Sequence, residues 1–162
     1  MSGFADWIKS FREQHERARR GSLKPGEESS YLAAREELAR AMLAAQRLTL
    51  KPGETPRHKL RVARALQLDL EFEGSTHRSV TLDVSVGGIS TVLAGSPGLG
   101  KTVKATLRLP ASGPLACRLR VSDVKPQDGS VRIAASFVDL AAADMERLEL
   151  FIVDAVLAMF AN

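Results

Sequence analysis

The spacing of apolar residues along the chain changes once, and the change divides it. Over residues 4–19, Phe4, Trp7, Ile8 and Phe11 recur at helical spacing with charged residues between them. Arg17, Arg19 and Arg20 gather at the end of this stretch, where cations complement a helix dipole, and Gly21 supplies a stop. Lys24-Pro25-Gly26 is a turn signal, and Glu27 and Glu28 open a second helix that runs to Gln46 or Leu48. Its apolar stripe is Tyr31, Leu38, Met42 and Ala45, and Glu36 and Arg40 form an i,i+4 ion pair. A helical hairpin with such a stripe either packs on its own domain or self-associates, and the pattern allows both. Lys51-Pro52-Gly53-Glu54-Thr55-Pro56 then breaks the helix and begins a linker.

From residue 66 the period falls to two. Leu66, Leu68, Leu70 and Phe72 alternate with polar residues, followed by Val80, Leu82 and Val84 and by an apolar run from Ile89 to Leu93. Val103 to Leu109, Leu115 to Val121 (with Cys117 at an apolar position) and Val131 to Phe137 repeat the alternation. The runs are separated by Glu73-Gly74, Ser96-Pro97-Gly98, Ser112-Gly113-Pro114 and Asp128-Gly129. Six short antiparallel strands, each with one apolar face, predict a small barrel, because closure removes exposed edges. The alternation points Val80, Leu82 and Val84 to the core, and Asp83 and Ser85 outward. Leu148, Phe151, Ile152, Ala155, Val156 and Met159 make the apolar face of a C-terminal helix that covers a mouth or side of the barrel. The expected architecture is mainly β with flanking helices. It comprises an N-terminal helical extension (1–50), a linker (51–64) and a six-stranded antiparallel β-barrel with its C-terminal helix (65–162).

Composition narrows the function. The chain has 162 residues, 44% hydrophobic and 26% charged, which suits a soluble globular protein able to bury a core. A net charge of +4 favours an anionic guest. The absence of a long Lys/Arg run and an aromatic content of 5% argue against nucleic acid. No stretch has membrane-spanning length, and Asp6, Lys9 and Arg12 interrupt the N-terminal apolar residues, unlike a secretory signal. The lone Cys117 reads as a small core filler in a reducing compartment, and the expected location is the cytoplasm.

Two short motifs carry the chemistry. Arg57-His58-Lys59-Leu60-Arg61 is an Arg-x-x-x-Arg, and with Arg64 it forms a basic stretch without acids. Arginine forks onto two acceptors, so it suits phosphate oxygens as well as the O6 and N7 atoms of guanine. Asp83-Val84-Ser85-Val86-Gly87-Gly88 is an Asp-x-Ser-x-x-Gly. An ionised carboxylate accepts only, which matches the donor edge of guanine, and paired glycines permit close backbone approach. The same Asp/Ser pair equally suits a strand end organised around a glycine turn. A hairpin separates the two motifs and brings them together.

These motifs resemble the signature of the PilZ family, whose members carry Arg-x-x-x-Arg before the first barrel strand and Asp/Asn-x-Ser-x-x-Gly after the second. Leu109-Pro110 and Ala135-Ser136-Phe137-Val138-Asp139-Leu140 look like later family strand ends. The resemblance implies a cyclic di-GMP receptor that needs no other cofactor. It implies that Arg57 and Arg61 grip phosphate and guanine while Asp83, Ser85 and Gly88 hold a guanine, with His58, Lys59, Arg64 and Gly87 as subsidiary contacts. Pro56 stands where many members have a further basic residue, so a monomeric and an intercalated dimeric ligand both remain open. Ligand-driven ordering of the linker would transmit binding to a protein partner. The alternatives are a non-binding adaptor of the same fold and a P-loop nucleotide-binding protein.

The last alternative arises from Gly95-Ser96-Pro97-Gly98-Leu99-Gly100-Lys101-Thr102, which fits Gly-x-x-x-x-Gly-Lys-Thr. A phosphate loop needs a helix from its Lys-Thr, whereas Thr102 to Pro110 alternates as a strand, so a hairpin turn is expected there instead. His15, a helix-face residue, and His58 and His77 show no metal-ligand spacing with one another or with Cys117, and no nucleophile–base set supports an enzyme.

Overall fold

The structure is a computed structural model that describes residues 3–48 and 59–160. The chain divides into two compact units, Met1–Leu60 with Val156–Asn162, and Arg61–Ala155.

The first unit is built on α1 (Phe4–Arg19) and α2 (Glu27–Leu48). Ile8, Phe11, Tyr31 and Leu38 are buried, and the Phe11 ring stacks on Trp7 and Tyr31. His15, expected on a helix face, is 1% exposed and lies 2.7 Å from the Tyr31 hydroxyl through Nδ1. A hydrogen-bonded imidazole can therefore occupy a core position that periodicity alone gives to a solvated residue. Gly21 adopts the left-handed conformation and its N–H donates to Ala18 O, which stops α1. Arg17 donates to Glu27 at the opening of α2. That hydrogen bond, with a second from the Lys24 N–H, holds the Glu27 carboxyl below its ordinary range.

The second unit is a closed antiparallel barrel of six strands. They are β1 (Gln67–Phe72), β2 (Ser75–Val84), β3 (Gly88–Leu93), β4 (Thr102–Leu109), β5 (Gly113–Gln127) and β6 (Ser130–Phe137), in the order β1-β2-β3-β6-β5-β4. Glu73 and Gly74 both have positive φ, which gives the two-residue turn whose twist matches a hairpin. Leu68, Leu70, Leu107, Leu115, Leu119 and Ile133 fill the interior at 1% exposure or less. The third helix, α3 (Ala142–Ala158), begins in this unit and ends in the first. Its Leu148 is fully buried. Arg147 Nη2 donates to the carbonyls of Ser112, Gly113 and Pro114 at 3.0–3.1 Å, which fastens the start of α3 to the β4–β5 turn. Among the described residues no helix is long and apolar enough to cross a membrane.

The segment after β3 departs from expectation. It is not a hairpin turn, because β3 pairs with β2 and β6 whereas β4 pairs with β1 and β5. Residues 94–101 cross over between strands that do not touch. Gly98 and Gly100 take positive φ, Gly100 N–H donates to Val121 O, and Thr102 opens a strand. Without a helix at Lys101-Thr102, backbone N–H groups cannot converge on a phosphate in the P-loop manner.

Candidate functional site

The site begins where the chain enters the barrel. Val62 and Val84 form an isolated antiparallel bridge, each N–H donating to the other's carbonyl at 2.9 Å. Thr81, 1% exposed, extends the attachment: its hydroxyl donates to Arg64 O at 2.6 Å and accepts the Leu66 N–H at 2.8 Å. Its own N–H donates to Leu66 O. Residues 62–66 therefore run along β2 as a pinned strand entry. Thr81 is the site residue that sequence reasoning missed, because period-two alternation places it among outward positions.

This attachment sets Arg61 beside Asp83, with Nη1 donating to Oδ1 at 3.4 Å. The two side chains are 35% and 16% exposed, so the pair is half-buried and reachable from solvent. Arg64 turns elsewhere and donates to Ala155 O of α3 at 3.3 Å. Lys59 is exposed, and Arg57 and His58 lie outside the described residues. Of the basic motif, the structure thus places Arg61 at the carboxylate.

The second motif sits on an irregular strand end. The β2–β3 register shifts between Thr81 and Asp83. This bulge reverses the inside-outside phase, as an unpaired residue must. Val80 and Leu82, expected in the core, are 51% and 39% exposed, whereas Val84 beyond the bulge is fully buried. Asp83 keeps an outer, half-buried position. Ser85, expected to face solvent, is 5% exposed. Its Oγ accepts the N–H groups of Gly87 and Gly88 at 3.1 and 3.2 Å, and its own N–H donates to Gly88 O at 2.9 Å. The hydroxyl is thus spent on the turn, the second of the two roles that its pairing with Asp83 allowed.

Gly88 serves a packing need. A Cβ there would lie 2.1 Å from Ala135 O, since β3 and β6 approach closely at the Gly88–Ser136 pair. Gly87 O accepts the Phe137 N–H, so the turn is tied to β6 as well. The result is a side-chain-free strip of backbone beside a guanidinium and a carboxylate. Planar donors and an acceptor at its edge suit a ligand with both anionic oxygens and N–H donors. Among the described residues no group of three or more His, Cys, Asp or Glu side chains could hold a metal ion.

The fold and site define a small barrel with a charged strand-entry site on its outer wall. The family model of the PilZ domain matches residues 55–154. The chain belongs to the PilZ family. Solved structures with the same fold include the Bacillus subtilis inhibitor of motility MotI/DgrA, at 21% identity over 65% of this chain and 53% of that one (TM-score 0.57). Escherichia coli YcgR in complex with c-di-GMP matches at 15% identity over 64% and 47% (TM-score 0.57). The K. pneumonia MrkH–c-di-GMP complex matches at 19% over 66% and 55% (TM-score 0.58). The chain spans about half the length of each of these three proteins. No curated protein sequence matches it.

Proposed function

We propose that the protein is a cyclic di-GMP receptor that passes ligand binding to a partner protein. The observation that carries this reading is the Arg61–Asp83 pair beside the Ser85–Gly88 turn, within a PilZ domain. The barrel also matches structures of YcgR and MrkH in complex with c-di-GMP. Arg61 and Arg57 take the phosphates and the O6/N7 edge of guanine, where charge-assisted bidentate contacts are strongest. Asp83 accepts from guanine N1–H and N2–H₂. Ser85 and Gly88 contribute by holding the turn flat, with Gly87, His58, Lys59 and Arg64 as lesser contributors. Drawing the linker that carries Arg57 onto the barrel is the change a partner reads. The reading places the receptor in a bacterial cytoplasm, with self-association through α1 and α2 as a further element. No chemistry on the ligand is part of it.

The test is calorimetric titration with cyclic di-GMP of the wild-type protein, Arg61→Ala and Asp83→Ala. Each variant is expected to lose at least about tenfold in affinity, the size of one charge-assisted hydrogen bond. Because the pair is half-buried yet reachable from solvent, the fall in thermal midpoint should be small beside the loss of affinity. Unaltered affinity in Arg61→Ala refutes the site. No heat with the wild type leaves the adaptor role instead.

A further inference from the structure

Beside Asp83 stands one side chain that the proposed contacts do not use. Ser90 of β3 is directly paired with Asp83 of β2. Ile89 and Leu93 face the core at 3% and 5% exposure, so alternation puts Ser90 on the outer face with Gly88 and Val92. Despite that face, Ser90 is 3% exposed, and among the described residues its Oγ has no hydrogen-bond partner. A hydroxyl that gives up water for nothing is rare in folded proteins. On its other side Ser90 pairs with Ala134, which offers no polar side chain. The polar group across the strand is the Asp83 carboxylate, and directly opposed antiparallel residues hold their Cβ atoms about 4.5–5.5 Å apart. One hydrogen bond spans that gap, but in this structure Asp83 Oδ1 is turned to Arg61.

We infer that Ser90 is a positioning residue for Asp83, whose hydroxyl stays unpaired while Arg61 holds the carboxylate and donates to it when an anionic nucleotide takes Arg61 away. The inference rests on the reading of Arg61 and Asp83 as nucleotide contacts and extends it. A phosphate competes with Asp83 for the same guanidinium. As Arg61 swings to phosphate, Asp83 loses its cation while its side chain stays largely covered by protein. Donation from Ser90 to one carboxylate oxygen offsets that loss and fixes the plane of the group. The second oxygen then points outward to accept from guanine. The burial of Ser90 keeps it off the nucleotide itself, so it acts through Asp83.

Two measurements test this. The first needs no nucleotide: a crystal structure of Arg61→Ala, in which Asp83 has lost that cation. Ser90 Oγ is expected within about 3 Å of an Asp83 oxygen. A Ser90 hydroxyl that is still unpaired there overturns the inference. The second compares Ser90→Ala with wild type for cyclic di-GMP affinity and for the thermal midpoint without ligand. Affinity is expected to fall about tenfold, the size of one hydrogen bond to a charged group. The unliganded midpoint is expected to hold or rise, because an orphaned buried hydroxyl has been removed. Wild-type affinity in Ser90→Ala overturns the inference, and so does a joint fall of affinity and midpoint, which marks a structural role. If the wild-type protein binds no cyclic di-GMP, the receptor reading fails, and the Arg61→Ala structure alone decides the role of Ser90.

Discussion

Replacing Gly88 with alanine separates two roles that one glycine can play. The added Cβ would lie 2.1 Å from Ala135 O and 3.0 Å from both Ala135 C and Ser136 Cα. All three atoms are main chain, so no side chain can rotate away. Relief requires β3 and β6 to part at the Gly88–Ser136 pair. That movement strains the Phe137 N–H to Gly87 O bond and the Ser85 N–H to Gly88 O bond. Overpacking of this kind costs about 1–3 kcal/mol, and a main-chain obstacle puts Gly88→Ala at the top of that range. For a domain of this size about 3 kcal/mol corresponds to a fall of about 12–24 °C in melting midpoint. The assay is thermal and urea unfolding of the variant, with cyclic di-GMP titration at a temperature where it is still folded. A variant that melts within about 0.5 kcal/mol of wild type but no longer binds refutes the packing argument. Gly88 would then matter for room above the sheet rather than for contact between its strands.

Thr81→Val removes a hydroxyl that serves two backbone groups, Arg64 O and Leu66 N–H. It is expected to destabilise by about 1–3 kcal/mol in urea unfolding, the cost of stranded buried polar groups, and to weaken nucleotide binding by freeing the strand entry. Lys101→Ala is expected to leave stability and cyclic di-GMP affinity unchanged, with no ATP or GTP turnover in either protein; turnover lost with the lysine would restore the phosphate-loop reading. Burial pushes the Cys117 thiol up to about 11, with the Asp144 carboxylate adding to it. The thiol is therefore protonated near neutrality, and alkylation by iodoacetamide should be slow until strongly alkaline pH. Because the folded value lies above the unfolded one, the stabilisation is full below the ordinary thiol range and is lost as pH rises through about 11. Urea unfolding across that alkaline range should show a steeper loss for wild type than for Cys117→Ala.

The strands and helices were legible because most of them obey one period. Leu68 and Leu70, or Leu107 and Leu109, alternate without interruption and are buried as read. The reading failed where a local device breaks the period. The bulge between Thr81 and Asp83 costs one residue of phase, and nothing in Val80-Thr81-Leu82 announces it. Hydroxyl groups hide in the same way: Thr81 and Thr91 are buried because each finds a backbone carbonyl, a partner that composition cannot reveal. His15 is the helical counterpart, buried against Tyr31 from a position sixteen residues away. The crossover at 94–101 was misread as a hairpin for a different reason. Turn chemistry in Ser96-Pro97-Gly98 states that the chain bends, but pairing is decided by strands remote in sequence. The proximity of Arg61 and Asp83 was expected from the intervening hairpin. The fixing of 62–66 by Thr81 that produces this proximity was not.

The crossover also makes the barrel a pair of three-stranded meanders. β1, β2 and β3 zip together by neighbouring hairpins, as do β4, β5 and β6, and the strap 94–101 joins the two sets. They are then stitched along two seams, β1 to β4 and β3 to β6. Local hairpins form within microseconds, while joins between residues so distant along the chain come late and slowly. Arg61, Asp83 and Ser85 all lie on or beside strands of the first meander, while the glycine turn beside them also takes a bond from Phe137 N–H of the second to Gly87 O. The candidate site therefore lies against one of the two seams, and its turn is fully bonded only in the closed barrel.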